Sequence, residues 1–250
     1  MQIRLNPVSL VVGAGSGVGA ACALELARKS QGGLLLADAD EAALTAAADD
    51  IEAAGVAPER MSTLAFDPAQ AGRWDQAIGF IQSQYGRLDW AVVNTGAAQP
   101  KTELVDWRGG RPLESAIHSL RAIMELMSKN AQGGAILVTG DAAAIKPPAD
   151  ARAAPGLLEL IRAAAHEGEQ RKVRINAIAA GGPETPMWSQ APVLDELARD
   201  AGGEAAAFAR MQGAPYARSS GDIKRLIALL LTDDAPVTGA TLVVDGGYTL

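Results

Sequence analysis

The sequence is poor in the residues that build disulfides and metal sites. Its 250 residues include one cysteine, Cys22, and two histidines, His118 and His166. A single cysteine excludes an internal disulfide, and its place in a predicted helix favours a small buried apolar residue over a nucleophile. Because neither Cys-x-x-Cys nor His-x-x-x-His spacing occurs, no metal is expected.

Long apolar runs and an excess of positive charge are also missing. The apolar stretch at Val8–Val12 is soon broken by glycine, which makes it too short for a signal peptide or a membrane span. The net charge of −7 argues against a nucleic-acid partner. We therefore expect a cytoplasmic protein that binds neither membranes nor nucleic acid.

What the sequence does contain is an alternation of short apolar runs with longer alanine-rich helical patterns. Strands are predicted at Leu10–Val12, Leu34–Ala37, Ser62–Ala65, Ala91–Val93, Ala135–Val138, Val173–Ala177 and Thr241–Val244. Helices are predicted near Gly17–Lys29, Glu41–Ala54, Gln70–Tyr85, Pro112–Asn130, Pro155–Gln170 and Gly221–Leu231. This order predicts one α/β domain over residues 1–250, a Rossmann-type doubly wound parallel sheet of about seven strands with helices on both faces.

The turn after the first predicted strand has the composition of a dinucleotide site. Gly13 can adopt the φ of a tight turn, Gly17 leaves room for a pyrophosphate, and Gly19 lets the helix approach the strand. The residues expected to surround the phosphates are Gly13, Ser16, Gly17, Val18 and Gly19. Asp38, at the end of the second strand, is placed to accept hydrogen bonds from a ribose and to repel a 2′-phosphate, which favours NAD over NADP.

Further candidate positions follow the later strands, where ligands bind in such sheets. Asp67 and Pro68 follow the third strand, and two interpretations stay open: Asp67 contacts the adenine amine, or the pair starts a helix. Asn94 and Gly96 follow the fourth strand, where the backbone would run along the adenosine. A loose stretch at about 186–214 has the features of a substrate lid.

In this order the motifs resemble the short-chain dehydrogenase/reductase family over essentially the whole chain. The resemblance rests on Gly13-x-x-x-Gly17-x-Gly19, on Leu88–Gly96, on Val173–Gly181 and on the ending Val237–Gly247. It implies that Asp67 contacts adenine, that Gly181 and Thr185 lie near the cofactor, with Thr185 at the nicotinamide, and that the ending lies near a subunit interface.

The departures from the family pattern concern its catalytic residues. Aligned on this sequence, the family's serine, tyrosine and lysine positions hold Asp141, Asp150 and Ala154, and no tyrosine occurs between Tyr85 and Tyr216. The predicted helix over 112–127 has no asparagine, so the fourth family residue is missing too. No catalytic residue is therefore assigned.

Three functions are compatible with this combination. The first is a non-catalytic subunit of an NAD-dependent oxidoreductase, in a homo- or hetero-oligomer with a catalytically intact paralogue, since some dehydrogenases of this family pair an active subunit with an inactive relative. The second is an active NAD-dependent oxidoreductase whose substitute groups come from Lys146, Asp150, Arg152 or His118. The third is a protein that senses NAD(H).

A smaller departure lies in the turn itself. The family's threonine before the first glycine is Val12, and the alanine between asparagine and glycine is Thr95. Two interpretations stay open: Thr95 supplies the missing hydroxyl from the opposite side, or both changes are neutral.

Overall fold

The structure of the protein is a computed structural model that describes residues 6–15, 17–94, 111–141, 157–180, 199–200, 202–203, 220–232 and 236–244. The strands are β1 (Ser9–Val12), β2 (Leu34–Asp38), β3 (Met61–Ala65), β4 (Trp90–Asn94), β5 (Gly134–Asp141), β6 (Val173–Ala180) and β7 (Thr241–Val244). The helices are α1 (Gly17–Lys29), α2 (Glu41–Ala53), α3 (Trp74–Tyr85), α4 (Arg111–Met127), α5 (Leu157–Gln170) and α6 (Ser220–Leu231), with short 3₁₀ turns at Pro58–Arg60 and Ala71–Arg73.

The seven strands form one parallel sheet in the order β3-β2-β1-β4-β5-β6-β7. The predicted fold class is confirmed. The chain reverses direction across the sheet between β1 and β4, so the loops after these two strands leave on opposite sides of a crevice. Ligands of such sheets bind at this point, beyond the carboxyl ends of the strands.

Helices cover both faces of the sheet and bury the central strands. Leu10 and Val12 of β1 face a core shared with α3, α4 and α5, whereas Val11 faces a second core shared with α1, α2 and α6. All three are at most 1% exposed. Full burial of such a side chain contributes about 1.5–3 kcal/mol, which fixes β1 at the centre of the fold. Cys22 is also fully buried in the second core, as predicted.

The observed ends of α4, β5 and β6 differ from the predicted ones because of hydrogen bonds with residues that are distant in the sequence. Helix α4 was predicted to reach Asn130 but ends at Met127, because the Asn130 amide donates hydrogen bonds to the carbonyl oxygens of Leu88 and Gly133 at 2.6 and 3.2 Å. β5 and β6 extend three residues beyond their predicted ends, because Thr139–Asp141 pairs in register with Ile178–Ala180.

Two polar side chains of β6 fasten the segment before β7 to the sheet. The Arg174 guanidinium donates to carbonyl oxygens at the end of α6, at 2.7 and 2.8 Å. The fully buried Asn176 amide donates to the Val237 carbonyl at 2.8 Å and accepts from the Ala240 amide at 3.1 Å. The bonds from Arg174 satisfy carbonyl oxygens at the end of α6, which have no partner within the helix. The bonds of Asn176 place β7 beside β6.

The structure describes only a few residues of the predicted lid, and it bears on the expectation about membranes only through the helices that it describes. The lid predicted at about 186–214 has four described residues, 199–200 and 202–203, so it stays a prediction. Within the part of the chain that the structure describes, no helix is long and apolar enough to cross a membrane.

Candidate dinucleotide site

The turn between β1 and α1 is held by backbone contacts that exclude side chains. Gly13 has φ +74°, and a Cβ built on it would overlap the carbonyl oxygen of Asn94. A Cβ built on Gly19 would overlap the carbonyl oxygen of Gly13. The amides of Gly13 and Ala14 both donate to the Ala37 carbonyl, at 2.7 and 3.1 Å. The first turn of α1 therefore lies directly against the end of β1.

Asp38 is the last residue of β2 and faces this turn. Its Oδ2 accepts a hydrogen bond from the Gly15 amide at 2.9 Å, and its Oδ1 accepts from the Asp40 amide at 3.1 Å. The carboxylate is therefore fixed beside the glycine turn and half-exposed. A carboxylate in this place can accept hydrogen bonds from ribose hydroxyls.

The amino end of α1 provides backbone amides without a competing acid. The helix begins at Gly17 and has no acidic residue in its first turn, so the positive end of its dipole is open to an anion. Val18 is 6% exposed and packs into the second core, so its main chain is the part available to a phosphate. Ser16 lies outside the described residues.

A polar side chain of β4 links the turn to β5. The Asn94 amide donates to the carbonyl oxygen of Gly13 at 3.1 Å, and its Oδ1 accepts a hydrogen bond from the Thr139 hydroxyl at 2.7 Å. Asn94 was predicted in the site, but Thr139 was not. The signal for it is a threonine that follows the apolar run Ala135–Val138 in register with Asn94.

Asp67 forms a local turn at the end of β3. Its Oδ1 accepts from the Ala69 amide at 3.1 Å, and its Oδ2 lies 3.4 Å from the Gln70 side-chain amide. The Pro68 carbonyl accepts a hydrogen bond from the Trp74 indole at 3.0 Å. Asp67 therefore closes a turn that precedes the 3₁₀ turn at Ala71–Arg73, and α3 itself begins only at Trp74, so the pair does not start a helix. The adenine contact stays a prediction.

Several predicted positions lie outside the described residues. These are Ser16, Thr95, Gly96, Lys146, Asp150, Arg152, Ala154, Gly181 and Thr185. Asp141 is the last residue of β5, and its side chain is not among those described. His118 lies half-buried on α4. Within the described residues, no group of three His, Cys, Asp or Glu side chains is arranged to hold a metal ion.

Comparison with known proteins places this geometry in a family. The sequence model of the family described as enoyl-(acyl carrier protein) reductase matches residues 13–249. An uncharacterized oxidoreductase of Mycobacterium tuberculosis is 32% identical over 98% of this chain and 92% of its own length. The chain belongs to the short-chain dehydrogenase/reductase family. Its matched region begins at Gly13 and therefore includes the glycine turn.

Two more proteins similar to this short-chain dehydrogenase/reductase are named for their activities. A subunit of the (2S)-[(R)-hydroxy(phenyl)methyl]succinyl-CoA dehydrogenase of Thauera aromatica is 27% identical over 98% of this chain and 97% of its own length. The crystal structure of a carveol dehydrogenase from Mycobacterium avium in complex with NAD has a TM-score of 0.81, with 99% of each chain covered and 21% identity. At that identity the likeness shows the fold.

Proposed function

We propose that this chain is an NAD-binding, non-catalytic subunit of an oxidoreductase assembly in which a catalytically intact paralogue performs the reaction. One contrast carries the proposal. The turn at Gly13–Gly19 keeps the close backbone contacts that a dinucleotide site needs, whereas β5 ends on Asp141, where the family has its serine. The sequence also has no tyrosine between Tyr85 and Tyr216 to serve as the family's acid/base.

The geometry of the turn supports NAD as the cofactor. The Asp38 carboxylate would accept hydrogen bonds from the adenosine ribose, and the open end of α1 would hold the pyrophosphate. No lysine or arginine lies in the turn or directly after Asp38, so nothing there would neutralise the additional phosphate of NADP. When bound, the nicotinamide would supply a hydride donor or acceptor. We also assign Asp67, Pro68, Asn94, Gly96, Gly181 and Thr185 to this site.

The residues at the reaction centre argue against turnover by the isolated chain. Hydride transfer to a ketone creates an alkoxide, which must be protonated by a positioned acid. Loss of such a group lowers the rate by roughly a hundred- to ten-thousandfold. An ionised carboxylate at position 141 would in addition repel the alkoxide. The bound dinucleotide would then serve a structural or regulatory purpose in the assembly.

The C-terminal part of the chain supports the assembly itself. The large apolar side chains that are exposed within the described ranges are Leu229 on α6, Val237 before β7 and Val243 on β7. β7 lies at the edge of the sheet and pairs with β6 on one side. An edge strand with exposed apolar residues is suited to pairing with another chain.

Helices α4 and α5 give this assembly less support than their composition indicates. Their apolar content favours a role in oligomerisation, but most of their large apolar residues pack into the core beneath them. Leu113, Ile117 and Leu158 are half-buried and lie outside that core. The outward positions described on these two helices include Glu114, Arg121, Glu125, Glu159, Arg162, His166 and Glu167.

The proposal is tested by binding and turnover of the purified chain. Calorimetry is expected to show binding of NAD and NADH and much weaker binding of NADP. Absorbance at the NADH band, with a panel of secondary alcohols and ketones, is expected to show no turnover. Activity should be recovered when the chain is co-purified with a relative that has an intact Ser and Tyr-x-x-x-Lys set, encoded in a neighbouring reading frame.

Three outcomes would contradict the proposal in different ways. Turnover by the purified chain that is lost in Asp141→Ala or Lys146→Ala would show an active enzyme with substitute groups. Absence of NAD and NADH binding would remove the cofactor from the proposal. A partner without dehydrogenase activity whose affinity changes with NADH would instead favour a sensor of the NAD(H) ratio.

A further inference from the structure

A chain of hydrogen bonds crosses three neighbouring strands at the carboxyl edge of the sheet. The Thr139 hydroxyl on β5 donates to the Asn94 Oδ1 on β4 at 2.7 Å, and the Asn94 Nδ2 donates to the carbonyl oxygen of Gly13, after β1, at 3.1 Å. Thr139 is 2% exposed and Asn94 is 7% exposed. The chain therefore lies inside the protein, away from competing water.

The direction of this chain is fixed by chemistry. A carbonyl oxygen such as that of Gly13 can only accept, so the Asn94 amide must present its NH₂ group to it. The Oδ1 of Asn94 then faces Thr139, and the hydroxyl rotates to donate. A hydroxyl at position 139 thus favours the one orientation of the Asn94 amide that bonds to the turn.

The Gly13 carbonyl lies at the centre of the proposed cofactor turn. It occupies the space that the absent Cβ of Gly19 leaves open, and the Gly13 amide donates to the Ala37 carbonyl of β2. Two residues later the Gly15 amide binds the Asp38 carboxylate. A shift of the Gly13 peptide would therefore move both the start of α1 and the amide that fixes Asp38.

We propose that Thr139 is a positioning residue for the dinucleotide site, acting through Asn94 on the Gly13 peptide. This proposal rests on the NAD binding proposed above and extends the site to a residue of β5, a strand to which we have assigned no cofactor contact. Val12, the residue before the turn, has no hydroxyl that could bind the turn. The hydroxyl of Thr139 instead acts from β5, through Asn94 on the intervening strand β4.

The test is a pair of substitutions that differ by one hydroxyl. Thr139→Val keeps the shape of the side chain and removes the donor, whereas Thr139→Ser keeps the donor. By calorimetry, Thr139→Val is expected to weaken NAD binding about five- to tenfold, the effect of losing one buried hydrogen bond. Thr139→Ser is expected to bind NAD within about twofold of the parent protein.

Thr238→Val is the matched control. The Thr238 hydroxyl accepts from the Ile175 amide at 3.1 Å, near the amino ends of β6 and β7, at the opposite edge of the sheet. It is expected to change the melting temperature but not NAD affinity. Unchanged NAD affinity in Thr139→Val, or equal weakening in Thr238→Val, would overturn the assignment of Thr139.

Amide hydrogen exchange separates this inference from the proposed function. In the protein without added NAD, Thr139→Val is expected to speed exchange of the Gly13 and Ala14 amides, whereas Thr139→Ser and Thr238→Val leave it unchanged. If the parent chain binds no NAD, the proposed cofactor is wrong, but exchange still decides whether Thr139 holds the turn. Unchanged exchange in Thr139→Val would reject the inference whatever the NAD result.

Discussion

Two segments are fastened to opposite edges of the same sheet by different means. The turn after β1, at the carboxyl edge, is built from glycines in close contact with main-chain atoms, and the side chains of Asp38 and Asn94 bind its backbone from the neighbouring strands. The segment before β7, at the amino edge, is held by the side chains of Arg174 and Asn176. Gly13 and Gly19 thus keep the turn itself free of side chains where the backbone would face a ligand, whereas two long polar side chains of one strand anchor the segment at the other edge.

The largest expected effect comes from a methyl group at the closest contact of the turn. Gly19→Ala would push α1 away from the Gly13 carbonyl, so we expect it to lower the free energy of unfolding by about 3 kcal/mol or more. NAD binding should become undetectable. Denaturant unfolding and calorimetry measure the two effects.

Gly79→Ala is the control for Gly19→Ala. Gly79 lies within α3 and nothing lies within 4 Å of the Cβ that alanine would add. Alanine there should raise stability by about 0.5–1 kcal/mol because it favours a helix over glycine. Equal effects of the two substitutions would mean that the α1 contact is not tight.

The second prediction separates backbone strain from close contact. Gly13 and Gly86 have nearly the same φ, +74° and +71°, but a Cβ meets the Asn94 backbone at Gly13 and nothing within 4 Å at Gly86. Gly86→Ala should cost about 1 kcal/mol, the cost of a left-handed alanine. Gly13→Ala should cost about 2–4 kcal/mol, because overpacking is added to that strain.

NAD affinity also distinguishes Gly13→Ala from Gly86→Ala. Gly13→Ala is expected to weaken NAD binding at least about tenfold, whereas Gly86→Ala leaves it unchanged. If both substitutions cost the same stability, strain at φ would account for the whole effect, and the contact with Asn94 would have no part in it.

The third prediction concerns the other edge of the sheet. Asn176→Ala removes a fully buried amide that bonds to Val237 and Ala240, so we expect a loss of about 2–3 kcal/mol in the free energy of unfolding. NAD affinity should stay within about twofold, since these bonds lie away from the turn. A large loss of NAD affinity in a folded Asn176→Ala protein would break the comparison between the two edges.

The smallest effect on stability is expected at the carboxylate that faces the turn. Asp38→Asn keeps an acceptor oxygen for only one of the two backbone amides that the carboxylate binds, those of Gly15 and Asp40, so we expect a loss of about 1 kcal/mol in the free energy of unfolding. NAD binding should weaken about tenfold, with NADP weakened less, because the charge is lost. Isothermal titration with both nucleotides measures this.

Asp40→Asn is the matched substitution for Asp38→Asn. Asp40 caps α2 through the Ala43 amide at 3.0 Å, and asparagine caps a helix as well as aspartate. Neither stability nor nucleotide affinity should change much. If the Asp38→Asn protein still binds NAD more tightly than NADP, residues other than Asp38 select the cofactor.

Much of the fold and part of the site follow from local patterns. The alternation of apolar runs and helical segments predicted all seven strands and the parallel sheet, and α1 was predicted with its observed bounds, Gly17–Lys29. Gly13 has the positive φ predicted for it and Gly19 lies against the Gly13 carbonyl as predicted, whereas the ribose contact of Asp38 stays a prediction. The hydrogen bond between Thr139 and Asn94 was not predicted, because the two residues are distant in the chain.

The sequence by itself determined the elements, because glycine conformations and apolar periodicity act over a few neighbouring residues. Tertiary structure alone decided that α4 stops at Met127, that most large apolar residues of α4 and α5 serve the core, and that Asn94 joins Thr139 to Gly13. The reason is that these depend on which strands become neighbours. β4 lies between β1 and β5 in the sheet, and that order brings three separated residues into one chain of hydrogen bonds.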